Sequence, residues 1–357
     1  MQKIFTFCGI VFFFYVQAQM KTYKDRLSVD FFGDYYYNVL RDTLFTSITN
    51  NVLQGATGMH GFQIRRLDIN FQHQFNSSYT FIFTASSEES DFLPNGKNSF
   101  GIKQAYFQKD SLFQKDISIY AGISPNPAIF YKEKWGEYRF LEKTITTLRI
   151  GEFTNDLGVG FRASFLHSFF LHILVGNNSG SKLETDKYKS FFGVIGFKPS
   201  EKWIFTIEGT YHDQKKIIDV YDTGIPQRKL SNDKWILSCF GGVELNRVKI
   251  GLTYFFNQRM HDFNNGASLI NYSLQGLSLF WLYNFHRSHG LMGRFDYYDP
   301  NLLIKENLRW YAILAYLYKP LDGIILSPNV QVEFYSPVGS TTYKPSVTAR
   351  ITLSMKF

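Results

Sequence analysis

The sequence predicts an all-β protein, a transmembrane antiparallel β-barrel of about 16 strands whose long third external loop folds into the lumen. Three observations predict it. Apolar and polar residues alternate one by one through run after run of the 357-residue chain. The connections between runs alternate long and short. Phe (37) and Tyr (23) raise the aromatic content to 18%, and Tyr and Trp gather near the ends of runs, where a membrane barrel carries its interfacial girdles.

The chain opens on what reads as a secretory leader, residues 1–19. Lys3 supplies a basic start, Ile4 to Val16 an apolar stretch, and Val16-Gln17-Ala18 a small-residue cleavage site. The stretch is too short to cross a bilayer as a helix, so residues 20–357 form the barrel. The two cysteines, Cys8 and Cys239, offer no disulfide framework and no paired metal ligands. A net charge of +8 and a pI near 9.2 could suggest nucleic acid. In an exported chain they point instead to a surface that attracts anions.

The strands are expected at about 26–38, 60–75, 77–87, 99–109, 116–122, 157–167, 168–176, 190–198, 202–212, 234–246, 247–258, 272–286, 289–298, 306–318, 323–335 and 343–357. Connections 39–59, 88–98, 123–156, 177–189, 213–233, 259–271, 299–305 and 336–342 are long. Those between them are short, near Asn76, Asp110–Lys115, His167, Lys198–Lys202, Asn246, Arg287 and Lys319–Asp322. Tight turns at one end and large loops at the other are the asymmetry of an outer-membrane barrel. A propeller or solenoid would show a constant repeat.

Alternation is cleanest at the C-terminus. Val347, Ala349, Ile351, Leu353, Met355 and Phe357 share one parity, and Ser346, Thr348, Arg350, Thr352, Ser354 and Lys356 the other. In 202–212, Trp203, Phe205, Ile207 and Tyr211 oppose Thr206, Glu208, Thr210 and His212. In 323–335, Ile324, Leu326, Val330, Val332 and Phe334 oppose Ser327, Asn329, Gln331 and Glu333. Successive side chains point to opposite faces. In a membrane barrel the apolar parity meets lipid and the polar parity lines water. Phe357 at the end of an amphipathic strand resembles the terminal signal of outer-membrane barrels. Tyr35–Tyr37, Trp281, Tyr283, Tyr297, Tyr298, Trp310 and Tyr311 are the expected girdle residues.

Between residues 60 and about 165 the chain resembles the phosphate-selective porin O and P family and related general porins. The matching pieces are Ile64-Arg65-Arg66-Leu67, Ile102-Lys103-Gln104-Ala105-Tyr106 and Ile119-Tyr120-Ala121-Gly122, then Tyr138-Arg139-Phe140-Leu141-Glu142-Lys143 and Asp156-Leu157-Gly158-Val159. The resemblance implies a 16-stranded barrel, trimeric assembly and a third loop folded into the pore. Ile123-Ser124-Pro125-Asn126-Pro127 departs from the family pattern, and only the strand pattern matches in the C-terminal half.

On this reading the partners are outer-membrane lipid, small anionic or hydrophilic solutes and two further copies of the chain in a homotrimer, with no nucleic acid. The expected function is passive diffusion of such solutes with a preference for anions, phosphate included. A nonselective or sugar-type pore, or a surface-binding barrel with a blocked lumen, is the alternative. Parity sends Arg66, Arg162 and Arg294 to the lumen and Arg65 to the lipid face, unless Arg65 snorkels or marks a bulge. With Lys132, Lys134, Arg139, Lys143 and Arg149 of the long loop, the lumenal arginines compose a candidate cationic constriction that attracts anions. The competing reading pairs these cations with Glu133, Glu137, Glu142 and Glu152 of the same loop and makes them scaffolding, Arg139 and Glu142 above all. No catalytic residues, cofactor or metal are expected. His286-Arg287-Ser288-His289 has no nearby carboxylate in sequence, and His212-Asp213 and His261-Asp262 are unspecific as metal ligands.

Overall fold

The computed structural model describes residues 25–42, 53, 55–88, 98–112, 116–136, 138–182, 184–337 and 340–357. The expected leader and Glu137 lie outside the described residues. The strands are β1 (Asp25–Leu40), β2 (His60–Asn76), β3 (Tyr79–Glu88), β4 (Gly101–Lys109), β5 (Ile117–Pro125), β6 (Asn155–Phe165), β7 (Phe169–Gly176), β8 (Ser190–Ser200) and β9 (Trp203–His212). A small hairpin, β10 (Ile217–Ile218) and β11 (Lys229–Leu230), follows in a loop. Then come β12 (Lys234–Leu245), β13 (Val248–Asn264), β14 (Leu269–His286), β15 (His289–Asp299), β16 (Arg309–Leu321), β17 (Ile324–Tyr335) and β18 (Ser346–Lys356).

All strands but the hairpin form one closed barrel in which each pairs with its neighbour in sequence and β18 returns to β1. The sixteen strands expected from alternation are the sixteen of the barrel. Closure leaves no edge strand, so backbone groups in the hydrocarbon layer pair along the ladders on both sides of a strand, bulges apart. The two parities sort as expected. Phe205, Ile207, Leu314, Val330 and Ile351 are exposed on the outside, whereas Glu208, Thr210, Gln331, Glu333, Thr348 and Thr352 are buried inside.

Four details differ from the sequence reading. First, the loop expected at 259–271 is largely strand. β13 and β14 continue to Asn264 and Leu269, and the ladder is interrupted between Arg259 and Phe263, where His261 has φ 48°. A strand needs only about 9–11 residues to cross the membrane, so this hairpin outgrows it. Second, the third loop spans 126–154 and contains two helices, α1 (Pro127–Trp135) and α2 (Ile145–Ile150). Third, Tyr298 and Tyr311 are not girdle residues, because both are buried inside, where Arg149 stacks over their rings at 5.2 and 5.9 Å. Fourth, Arg65 faces inward against its parity, because it marks a bulge, the exception the sequence reading leaves open. The β1–β2 register slips between Phe32 and Gly33, pairing Phe32 with Arg66 and Gly33 with Ile64. Arg65 is the extra residue of that bulge, and a single extra residue moves a side chain to the other face.

The Pro125-Asn126-Pro127 segment that departs from the family pattern is the entry to α1. Asn126 caps the helix, its Oδ1 accepting from Ala128 N at 2.9 Å, and Pro127 fills the first turn, where no N–H is needed. Asn126 also holds the two legs of the loop together, its N donating to Thr154 O at 2.9 Å and its Nδ2 to Phe153 O at 2.9 Å. Gly136 ends α1 at φ 137°, a conformation that disfavours a side chain. Thr144 caps α2, and Gly151 closes it in the left-handed region.

Candidate functional site

The loop runs down the lumen towards the short-turn end of the barrel. Trp135 sits over Gly242 of β12, where any Cβ would collide with its Nε1, and Lys249 beside the turn after β12 donates to Trp135 O at 2.9 Å. Trp135, Phe140 and Leu141 join Phe240, Phe280, Tyr311 and Leu317 of the wall in one buried apolar cluster. Apolar packing inside a barrel of about 16–18 strands, which normally encloses water, shows how much of this lumen the loop fills.

Charged anchors fix the loop to the wall. Lys132 Nζ meets Glu208 Oε2 at 2.5 Å and donates to Ser238 Oγ at 3.2 Å, with both ions almost fully buried. Arg149 Nη1 meets Glu333 Oε1 at 2.6 Å. Arg294 grips Asp296 through Nε and Nη2 at 2.9 and 2.8 Å and donates from Nη1 to Lys143 O at 2.5 Å. Arg65 donates to Leu141 O at 2.6 Å and to Phe140 O at 3.2 Å, and lies 3.5 Å from Glu142. Burial alone would raise the Glu142 carboxyl, but Arg65, Arg350, the Lys143 amide and Arg294 together hold it below its ordinary value. Burial pushes Glu152 the other way, above its ordinary value, with Lys132 opposing and the charge of Glu208 assisting. The loop carboxylates and cations thus bind mainly to the wall, and not chiefly to one another.

A second set of cations keeps contact with water. Arg66, Lys103, Arg139 and Lys143 retain 12–23% side-chain exposure, against 0–4% for Lys132, Arg149 and Arg294. They converge on Glu88 at the end of β3, at distances of 3.5–3.8 Å. Arg66 also bonds Asp68 through Nε at 2.7 Å, Lys103 reaches Asp68 at 3.2 Å, and Arg139 reaches Glu133 at 3.1 Å. Among the described residues four cations therefore face three carboxylates, a local balance of +1. Lys103 was missed in the sequence, for the reason that misplaced Arg65. The β3–β4 register slips between Thr84 and Ala85, pairing them with Gln104 and Ile102. Lys103 is the extra residue and turns inward. Glu88, at the lip of a loop, carried no signal of its role in the chain alone.

Lys134 and Arg162 stand apart. Among the described residues neither pairs with a carboxylate. Each lies over the Phe130 ring instead, at 5.4 and 5.2 Å, and Arg162 also lies 5.9 Å from the centre of Tyr120. Of the eight cations read from the sequence, six meet carboxylates and these two meet aromatic faces. The histidines considered as ligands are engaged locally, His212 with Asn178 Oδ1 at 2.7 Å and His261 with Ser231 O at 2.8 Å. Among the described residues no three His, Cys, Asp or Glu side chains gather as a metal site.

Solved structures share this architecture at low identity. The anion-selective porin from Comamonas acidovorans is similar over 94% of this chain and 100% of its own, with a TM-score of 0.64 and 8% identity. The fold is that of the outer-membrane porins. The outer membrane channel DcaP of Acinetobacter baumannii matches over 94% and 97% of the two chains, with a TM-score of 0.65 and 10% identity. An OmpT loop-deletion mutant from Vibrio cholerae, an outer membrane protein, matches over 94% and 99% at a TM-score of 0.63 and 11% identity. No protein-family model and no curated protein matches the chain. With its apolar outer band, lumenal loop and porin fold, this is a barrel protein of the Gram-negative outer membrane.

Proposed function

We propose that the protein is a passive diffusion porin for small hydrophilic solutes with a modest preference for anions, phosphate among them. The observation that carries this reading is the division of the lumenal cations. Lys132, Arg149 and Arg294 are buried anchors, while Arg66, Lys103, Arg139 and Lys143 meet water around Glu88. On this reading the second group lines the path that solutes take past the loop. A net charge of one supports bias only. A pair of unit charges 4 Å apart gains about 1 kcal/mol in bulk water and about 4 kcal/mol at an effective dielectric of 20, and conduction requires each site to release its ion. Lys134 and Arg162 extend the positive line towards the short-turn mouth. The partial family resemblance supports a homotrimer, which crosslinking in native membranes tests by returning trimers or monomers.

The test is the reversal potential of the purified protein in a planar bilayer under a salt gradient, repeated with phosphate. An anion-selective potential supports the proposal, and a zero or cation-selective potential removes the anion preference. One observation favours a second reading, a surface-binding barrel with a blocked lumen: the packing of Trp135, Phe140 and Leu141 against the opposite wall. Absence of any conductance would select it.

A further inference from the structure

A pocket of about 420 Å³ lies beside α1 at the short-turn end of the lumen, lined by Phe130, Tyr131, Lys134, Trp135, Arg162 and Phe170 among others. We infer that it is a subsite for small organic monoanions with a flat apolar face, aromatic carboxylates being the chemical class. This deepens the anion-preferring porin proposed above and rests on it.

The charge of the pocket is the first argument. Lys198 and Lys249 also border it, but Glu201 at 2.5 Å and Glu244 at 2.9 Å neutralise them. Among the described residues the unmatched charge is that of Arg162 and Lys134. The Arg162 Nε is buried without a hydrogen-bond partner, so a strong donor of the site is unspent. A guanidinium presents paired N–H groups that match a carboxylate.

The walls are the second argument. Tyr131 and Phe170 lie against each other with ring centres 4.3 Å apart, and Phe130 crosses Tyr131 edge to face at 5.1 Å. Beside the two cations the lining offers the hydroxyls of Tyr131 and Ser164 and the indole N–H of Trp135, fewer donors than a phosphate dianion needs to replace its water. An aromatic acid exchanges apolar surface for these rings and sets its carboxylate at Arg162. The volume lies within the range of about 300–1,000 Å³ usual for small-molecule sites.

The experiment is calorimetric titration of the purified full-length protein in detergent with sodium benzoate, sodium phosphate and neutral benzyl alcohol, beside bilayer conductance of the same samples. Benzoate is expected to bind more tightly than the other two. Arg162→Gln should weaken it about tenfold, as loss of a charged hydrogen bond implies, and Phe130→Leu should weaken it several-fold, as loss of an aromatic contact implies. Lys134→Gln, at a partly solvated position, should weaken it less and guards against a folding defect in the other variants. Equal binding of benzyl alcohol, tighter binding of phosphate, or benzoate affinity unmoved by all three substitutions would overturn the inference. Conductance without benzoate binding defeats the subsite alone, whereas benzoate binding without conductance defeats the porin reading and leaves the pocket.

Discussion

Replacing Lys132 by methionine tests the claim that buried ion pairs hold the loop in the lumen. Lys132 and Glu208 have side-chain exposures of 0% and 1% and stand 2.5 Å apart. Removing one partner from such a pair leaves an uncompensated buried charge and costs about 3–5 kcal/mol. Methionine keeps the bulk of the lysine stem, so the loss is electrostatic and not a cavity. Lys132→Met should lower the unfolding free energy in urea by that amount, read from tryptophan fluorescence, which Trp135 on the same helix reports. Open-channel conductance should rise as α1 leaves the wall. The double variant Lys132→Met/Glu208→Gln removes both charges and should recover much of the loss, because the single variant suffers from the orphaned carboxylate. A Lys132→Met protein within about 0.5 kcal/mol of the parent, the range of neutral surface changes, with unchanged conductance, would refute the anchoring argument.

Other expectations follow from the same geometry. The depressed Glu142 carboxyl contributes stability at pH values above the ordinary glutamate range of about 4.3, and this is lost as pH falls through its lower folded value. Conductance should therefore stay level from pH 7 to 5 and change only in strong acid, and Glu142→Gln should shift it already at pH 7. Glu152, raised by burial, has the opposite sign: protonation relieves it, so Glu152→Gln should melt above the parent at pH 7 and level with it in acid, as differential calorimetry would show. Gly242→Ala forces a Cβ against the Trp135 ring. Overpacking of this kind costs about 1–3 kcal/mol, and conductance noise and protease access to the loop should both increase. Arg66→Gln with Lys103→Gln turns the Glu88 cluster from +1 to −1, and the reversal potential should move towards cations.

Much of the barrel was legible because a strand in a membrane wall obeys one rule over its whole length. Trp203, Phe205 and Ile207 must meet lipid and Thr206 and Glu208 must not, so the pattern repeats and the count of sixteen follows. The exceptions fall where a single residue breaks the period. Arg65 and Lys103 are each the extra residue of a bulge, and periodicity misassigns Arg65 and gives no role to Lys103. The long hairpin β13–β14 escaped because its outer part, near His261 and Asn264, stands beyond the membrane, where alternation is no longer imposed. The helices of the loop had local signals in Asn126-Pro127 and Thr144, but a strand-period reading does not look for caps.

The sequence by itself determined that the chain closes into a lipid-facing barrel, which parity reaches its lumen, and that one charged loop is long enough to enter it. Those properties depend on nearest neighbours along a strand and on the length of each connection. Only the tertiary structure decided what each lumenal cation does. Lys132 finds Glu208, Arg149 finds Glu333 and Arg65 finds Leu141 across separations of 76 to 184 residues, and Arg162 finds Phe130 in place of any carboxylate. Whether a lysine is an anchor, part of a water-filled lane or an unspent charge depends on the carboxylate, carbonyl or ring that closure of the barrel brings opposite, and no local pattern carries that distance.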